Sequence, residues 1–262
     1  MKQLDISGNT LEYIRLVSAH PRPEAPPMIF LHEGLGSISM WRDFPQQVAD
    51  ATGCEAIVYS RYGYGRSTPL RSVPREVRYM HDEALRDLPC LLDALEVNEY
   101  FLFGHSDGGS ISLIHAGNAG RAVAGTIVLA PHVFVEDVAL DNIELAGKAF
   151  ENPETRLRER LARHHDDVDG VFWGWNRTWL SAAFRSWNIE NYLPAIQGPV
   201  LAIQGEDDEY ATMAQLDRIA AAAPDVDLVK LADCRHSPHK DQPGAVIEAT
   251  TSFISRILDA RD

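Results

Sequence analysis

The sequence predicts an α/β fold with a mostly parallel sheet and helices on both faces. Six short apolar runs, PMIFLHE, EAIVYS, YFLFGHS, GTIVLAP, PVLAIQG and VDLVKLA, are rich in β-branched and aromatic residues. Each ends near Gly, Pro or a polar cluster, the pattern of buried strands. Helical periodicity lies between them at Trp41 to Ala51, Tyr79 to Leu95, Asp107 to Ala119 and Ala211 to Ala223, and closes the chain at Gly244 to Leu258. Alternation of this kind builds parallel sheets. A chain of 262 residues, 45% hydrophobic and 24% charged, is large enough to bury a sizeable core.

In chain order, MKQLDISGNTLEYIRL alternates polar and apolar residues across a Ser-Gly-Asn turn, which suits a β-hairpin and lacks the apolar centre of a signal peptide. PRPEAPP, Pro21 to Pro27, is a short rigid connection and not a domain boundary. The strand and helix alternation then runs to about Pro131. From about Phe134 to Pro194 no strand is expected, only helix-like polar stretches and the aromatic cluster VFWGWNRTWLSAAFRSWNIENYL, so this segment reads as a helical insertion over the sheet. PVLAIQG resumes the pattern.

Several function classes are excluded. A formal charge of −14 with no Lys/Arg cluster argues against a nucleic-acid partner. Cys54, Cys90 and Cys234 are odd in number and widely spaced, which gives neither a disulfide framework nor a zinc pattern and fits a reducing compartment. No apolar run is long enough to cross a membrane. A cytoplasmic location is the default, no metal or cofactor is called for, and homo-oligomerisation is left open. RHHDDVDG, Arg163 to Gly170, reads as a polar helix end, since neither it nor His236 with His239 supplies a credible zinc ligand set.

The chemistry centres on FLFGHSDGGS. Ser106 follows a strand and precedes a helix, with Gly104 and Gly108 two residues to either side. In a G-x-S-x-G elbow the serine backbone is strained, small flanking residues give clearance, and Oγ stands exposed at the sheet edge. The amide of Asp107, at the helix N-terminus, is then aimed at developing negative charge. A nucleophilic serine needs a base, and the base needs an orienting acid. After PVLAIQG come Glu206, Asp207, Asp208 and Glu209; after VDLVKLADC come His236 and His239.

With these motifs in order, the chain resembles the α/β-hydrolase superfamily over nearly its whole length. The resemblance implies the α/β-hydrolase fold, with residues 1–133 and 195–262 as core and 134–194 as a helical cap. The G-x-x-D pattern after the acid-bearing strand selects Asp208, with Asp207 and Glu209 as alternatives. The base position selects His236, although Arg235 stands where the family usually has glycine. His32-Glu33-Gly34-Leu35-Gly36 matches the loop that donates the second oxyanion amide and implies Gly34, or Leu35 one residue on; Glu33, in the usual glycine position, is a candidate substrate contact, as is Leu35. SRYGYGRS resembles the family turn that shapes the floor of the site. Of the cap tryptophans, Trp173, Trp175 and Trp179 are candidate pocket walls. HSDGG is similar to the elbow of the valacyclovir-hydrolase-like branch, where the acid helps recognise an amine; capping of its own helix is the preferred reading for the Asp107 side chain.

The implied activity is a cofactor-free serine hydrolase acting on a small-molecule carboxylic ester, thioester or lactone through an acyl-enzyme. The alternatives are a carbon–carbon bond hydrolase with the same triad and a non-catalytic ligand-binding protein on the same scaffold.

Overall fold

The computed structural model describes residues 1–6, 8–118 and 120–261. Eight strands form one sheet: β1 (Lys2–Ile6), β2 (Asn9–Leu16), β3 (Met28–Leu31), β4 (Ala56–Tyr59), β5 (Glu99–His105), β6 (Ala122–Leu129), β7 (Val200–Gly205) and β8 (Val226–Leu231), in the order β1-β2-β4-β3-β5-β6-β7-β8. The β1–β2 hairpin joins β4 antiparallel, and every pairing from β4 onward is parallel. Ser7 of the expected turn and Ala119 at the expected helix end lie outside the described residues.

Alternation along the central strands divides the core. Ile29, Leu31, Ile57, Tyr59, Tyr100 and Leu102 face one side, where α2 (Tyr79–Asp82), α3 (Leu88–Ala94), α4 (Asp107–Ala116) and α8 (Ala214–Ala222) pack. Met28, Phe30, Val58, Phe101 and Phe103 face the other side, against α1 (Phe44–Thr52) and α10 (Pro243–Asp259). The parallel strands are buried on both faces, except β8, which the sequence reads as a buried strand. It is the sheet edge, and Leu228 on it is 37% exposed.

Tyr79 to Leu95 is not one regular α-helix. A π-helical turn, Glu83–Asp87, separates α2 from α3. Pro89, in the first turn of α3, has no N–H to give and would crowd the carbonyl four residues back; the wider turn relieves that conflict. Between β6 and β7 the chain forms α5 (Asp137–Glu151), α6 (Leu157–Leu161), α7 (Val168–Trp179) and short 3-10 turns, with a single bridge pairing Phe134 and Asn188. After β8, α9 (Pro238–Asp241) precedes α10. No helix among the described residues is long and apolar enough to cross a membrane.

Candidate active site

The C-terminal ends of β3, β5, β6 and β7, with the loop after β8, converge below α5 and α7. Ser106, between β5 and α4, has φ 53° and ψ −118°, a left-handed backbone that a non-glycine residue adopts only under constraint. The constraint is steric. A Cβ on Gly104 would run into the Gly108 carbonyl, and one on Gly108 into the Leu31 carbonyl, so the turn closes only with glycine at both places.

Ser106 Oγ lies 3.0 Å from His236 Nε2, and His236 Nδ1 lies 2.8 Å from Asp208 Oδ1. The bonding assigns the tautomer: Nδ1–H donates to the carboxylate, which leaves Nε2 to accept the serine O–H. The Asp208 side chain is fully buried and its Oδ1 also accepts the Tyr210 amide at 2.8 Å. Burial pushes its pKa up, but the His236 ring and these hydrogen bonds outweigh burial and hold it below the ordinary value. The other loop acids stand elsewhere. Glu209 accepts the His236 backbone N–H at 3.1 Å, and Asp207 is exposed. Arg235 directs its guanidinium toward solvent while its amide donates to Asp241, so the departure from glycine does not disturb the His236 ring.

The loop after β3 is locked by its own carbonyl. Glu33 O accepts from His32 Nδ1 at 2.8 Å, from Arg61 Nη2 at 3.0 Å and from the Gly36 amide at 3.0 Å. His165, in the loop before α7, accepts the Gly65 amide at Nδ1 and donates from Nε2 to Leu35 O, which ties the segment between β6 and β7 to this loop. Trp175 packs so closely over Gly34 that a Cβ there would meet its ring at 2.5 Å. The Asp107 amide, at the first position of α4, has no carbonyl within the helix to bond.

These residues enclose a cavity of about 190 Å³ lined by Ser106, His236, Gly34, Leu35, Glu33, Trp175 and Trp179, together with Met40, His132, Ile143, Leu161 and Tyr210. Trp173 is not on this lining. Its ring packs edge-on against Phe150 and Phe172, under Arg177, because neighbouring positions on α7 face different sides of the helix. Glu33 is the only carboxylate among the described lining residues; its oxygens lie 3.6 Å from His105 Nδ1 and 3.7 Å from Lys240 Nζ. Burial favours the protonated form of Glu33, but His105 and Lys240 prevail and hold its pKa well below the ordinary value.

The Asp107 side chain makes no capping bond. Its Oδ2 accepts the Tyr79 hydroxyl at 2.6 Å, Arg61 lies 3.9 Å away, and Trp179 Nε1 donates to the same Tyr79 oxygen at 3.0 Å. The carboxyl is completely buried, and burial raises its pKa despite Arg61 and Tyr79. The sequence reading misses Tyr79, Arg61, Tyr210 and His132. Only His132 carries a local signal, two residues past the strand GTIVLA. Among the described residues no group of three or more His, Cys, Asp or Glu could hold a metal ion.

Comparison with known proteins places the fold. A sn-1-specific diacylglycerol lipase of Danio rerio is 21% identical over 88% of this chain and 79% of its own length. A 2-(acetamidomethylene)succinate hydrolase of Mesorhizobium japonicum is 22% identical over 97% of this chain and 94% of its own. Among solved structures, a proline iminopeptidase of Mycobacterium smegmatis superposes with a TM-score of 0.78 at 20% identity, covering 100% of this chain and 99% of that one. The enol-lactonase of Burkholderia xenovorans LB400 gives 0.74 at 18% identity, covering 97% and 100%. The profile of the Alpha/beta hydrolase family matches residues 28–249, most of the sheet and both ends of the hydrogen-bonded Ser106–His236–Asp208 chain, and the protein belongs to that family.

Proposed function

We propose that the protein is a serine hydrolase that cleaves a small carboxylic ester, thioester or lactone. The observation that carries the reading is the unbroken hydrogen-bonded chain from Asp208 through His236 to Ser106 Oγ, with that oxygen on a strained elbow at the wall of a mostly apolar cavity. Ser106 Oγ attacks the carbonyl carbon as its proton passes to His236 Nε2, and Asp208 stabilises the imidazolium. The amides of Asp107 and Gly34 receive the oxyanion; each such donor is worth roughly 10²–10³ in kcat. Collapse breaks the bond to the leaving group, which takes the proton from His236. Water, deprotonated by His236, then frees the acid and restores Ser106.

Residues 134–194 act in this reading as a cap: Trp175 and Trp179 on α7 and Ile143 on α5 close the cavity and exclude water. A lipase and an enol-lactonase among the similar proteins support an acyl-oxygen substrate. The test is fluorophosphonate labelling and p-nitrophenyl ester turnover by wild type and Ser106→Ala. Labelling and turnover are expected only in the wild type; a variant that turns the ester over at the wild-type rate would sink the mechanism.

A further inference from the structure

The mechanism leaves the His132 imidazole on the cavity wall unused. His132 follows β6, and its backbone is pinned to α4: Ser110 Oγ donates to its carbonyl at 2.6 Å and lies 3.1 Å from its amide, which donates back to that oxygen. The next amide, Val133, donates to Gln215 Oε1 at 2.7 Å. The ring is held between Trp179, edge-on at 5.1 Å, and His236 at 5.8 Å. The residue is only 2% exposed, Nδ1 is sealed from solvent, and neither Nδ1 nor Nε2 has a hydrogen-bond partner among the described residues.

A buried polar group without a partner costs about 1–3 kcal/mol, a cost that a phenylalanine or leucine of similar bulk would avoid. The ring is not a spare base. Burial, aided by His236, lowers its pKa to about 3, so it stays neutral at and around neutral pH. A neutral imidazole offers one N–H and one lone pair; with Nδ1 sealed, Nε2 is the nitrogen a substrate can reach, and a hydroxyl can either donate to it or accept from it. The rest of the lining disfavours anything larger or anionic: Leu35, Met40, Ile143, Leu161 and Trp175 are apolar, Glu33 is anionic, and 190 Å³ is only somewhat more than the 150 Å³ cavity known to take a benzene.

We propose that His132 is a specificity-determining residue that hydrogen-bonds a hydroxyl group of the substrate, so that the preferred substrate is a compact hydroxy ester or hydroxy lactone and not a plain alkanoate. The proposal rests on the serine hydrolase reading. Its test uses ester pairs in which one methyl is replaced by hydroxyl: p-nitrophenyl 2-methylpropanoate with 2-hydroxypropanoate, 3-methylbutanoate with 3-hydroxybutanoate, and propyl acetate with 2-hydroxyethyl acetate. Wild type is expected to favour at least one hydroxy ester by about tenfold or more in kcat/KM. His132→Phe should bring that ratio to about one, while His132→Asn, a neutral donor and acceptor, should retain part of it.

Wild-type ratios at or below one in every pair would overturn the proposal even if the variants failed to fold. So would a ratio that survives His132→Phe, or an equal slowing of both members of each pair, which would make the ring a packing element. Wild-type turnover of the methyl esters and fluorophosphonate labelling keep the two readings apart, because their absence would bring down the serine hydrolase reading and this proposal with it.

Discussion

Asp107 divides its work between main chain and side chain. Its amide sits at the start of α4 and in the proposed mechanism receives the oxyanion, while its carboxylate turns to Tyr79 and Arg61. The sequence could place the amide, because a helix N-terminus after a strand is a local pattern. It could not place the carboxylate, whose partners come from positions 28 and 46 residues earlier in the chain. Asp208 and Glu209 pose the same problem side by side: both touch His236, one at the ring and one at the backbone amide. That contrast gives a prediction. Asp208→Asn should lower kcat on a p-nitrophenyl ester by roughly 10³–10⁴ with little change in KM, because the amide cannot hold the tautomer or the imidazolium. Glu209→Gln, which still accepts the backbone N–H, should stay within about tenfold of wild type. A Glu209 defect as deep as that of Asp208 would reverse the assignment.

At the scale of elements, three helices from distant parts of the sequence meet in one hydrogen-bonded line: Trp179 on α7 donates to Tyr79 on α2, and Tyr79 donates to Asp107 on α4. Tyr79→Phe removes the only hydrogen-bond donor to the carboxylate among the described residues and leaves Trp179 Nε1 without its acceptor. The expected loss is about 1–3 kcal/mol, read as a drop in urea midpoint at constant slope. Trp179→Phe should cost less, and the double variant less than the sum of the two, since the second change removes a bond the first has already broken. Strict additivity in that cycle would show that the two hydrogen bonds of the line act independently. Periodicity finds each helix, but the line itself arises from how α7 docks, a tertiary fact with no local trace. Much of the elbow, by contrast, was legible: Gly104, Ser106 and Gly108 stand within five residues, and the clashes that demand glycine come largely from the turn and the adjoining β3. The π-helical turn leaves no mark in the periodicity, which averages over a whole helix; Pro89 is its only local sign.

Across the whole molecule, buried ionisable groups set opposing pH trends. Burial lowers His132 to about 3 and His165 to about 4, and it lowers His32, His105 and His239 as well. An unfolded histidine takes its proton near pH 6.5, so these residues give their full stabilisation above that pH and lose it as pH falls toward their folded values. Glu83 runs the other way. Burial raises it from an ordinary 4.5 to about 7, with its Oε1 accepting the Tyr59 hydroxyl at 2.9 Å. Its contribution is therefore complete below pH 4.5 and is lost as pH rises through 7. The lowered histidines, with His81, His115 and His164 added to these five, outnumber the raised Glu83 and Asp107 and make the thermal midpoint fall as pH drops from 6.5 to 4.5, while above about pH 7 these groups stop titrating and the ionised Glu83 remains as a standing cost. Glu83→Gln removes that cost and keeps an acceptor for Tyr59. It should raise the midpoint at pH 8, with an upper limit of about 3 kcal/mol in stability, and the gain should shrink steadily between pH 7 and pH 4.5. A gain of equal size at every pH would mean that shape, and not charge, sets the cost at this position, and a loss at pH 8 would mean that Arg61 needs the carboxylate more than burial penalises it.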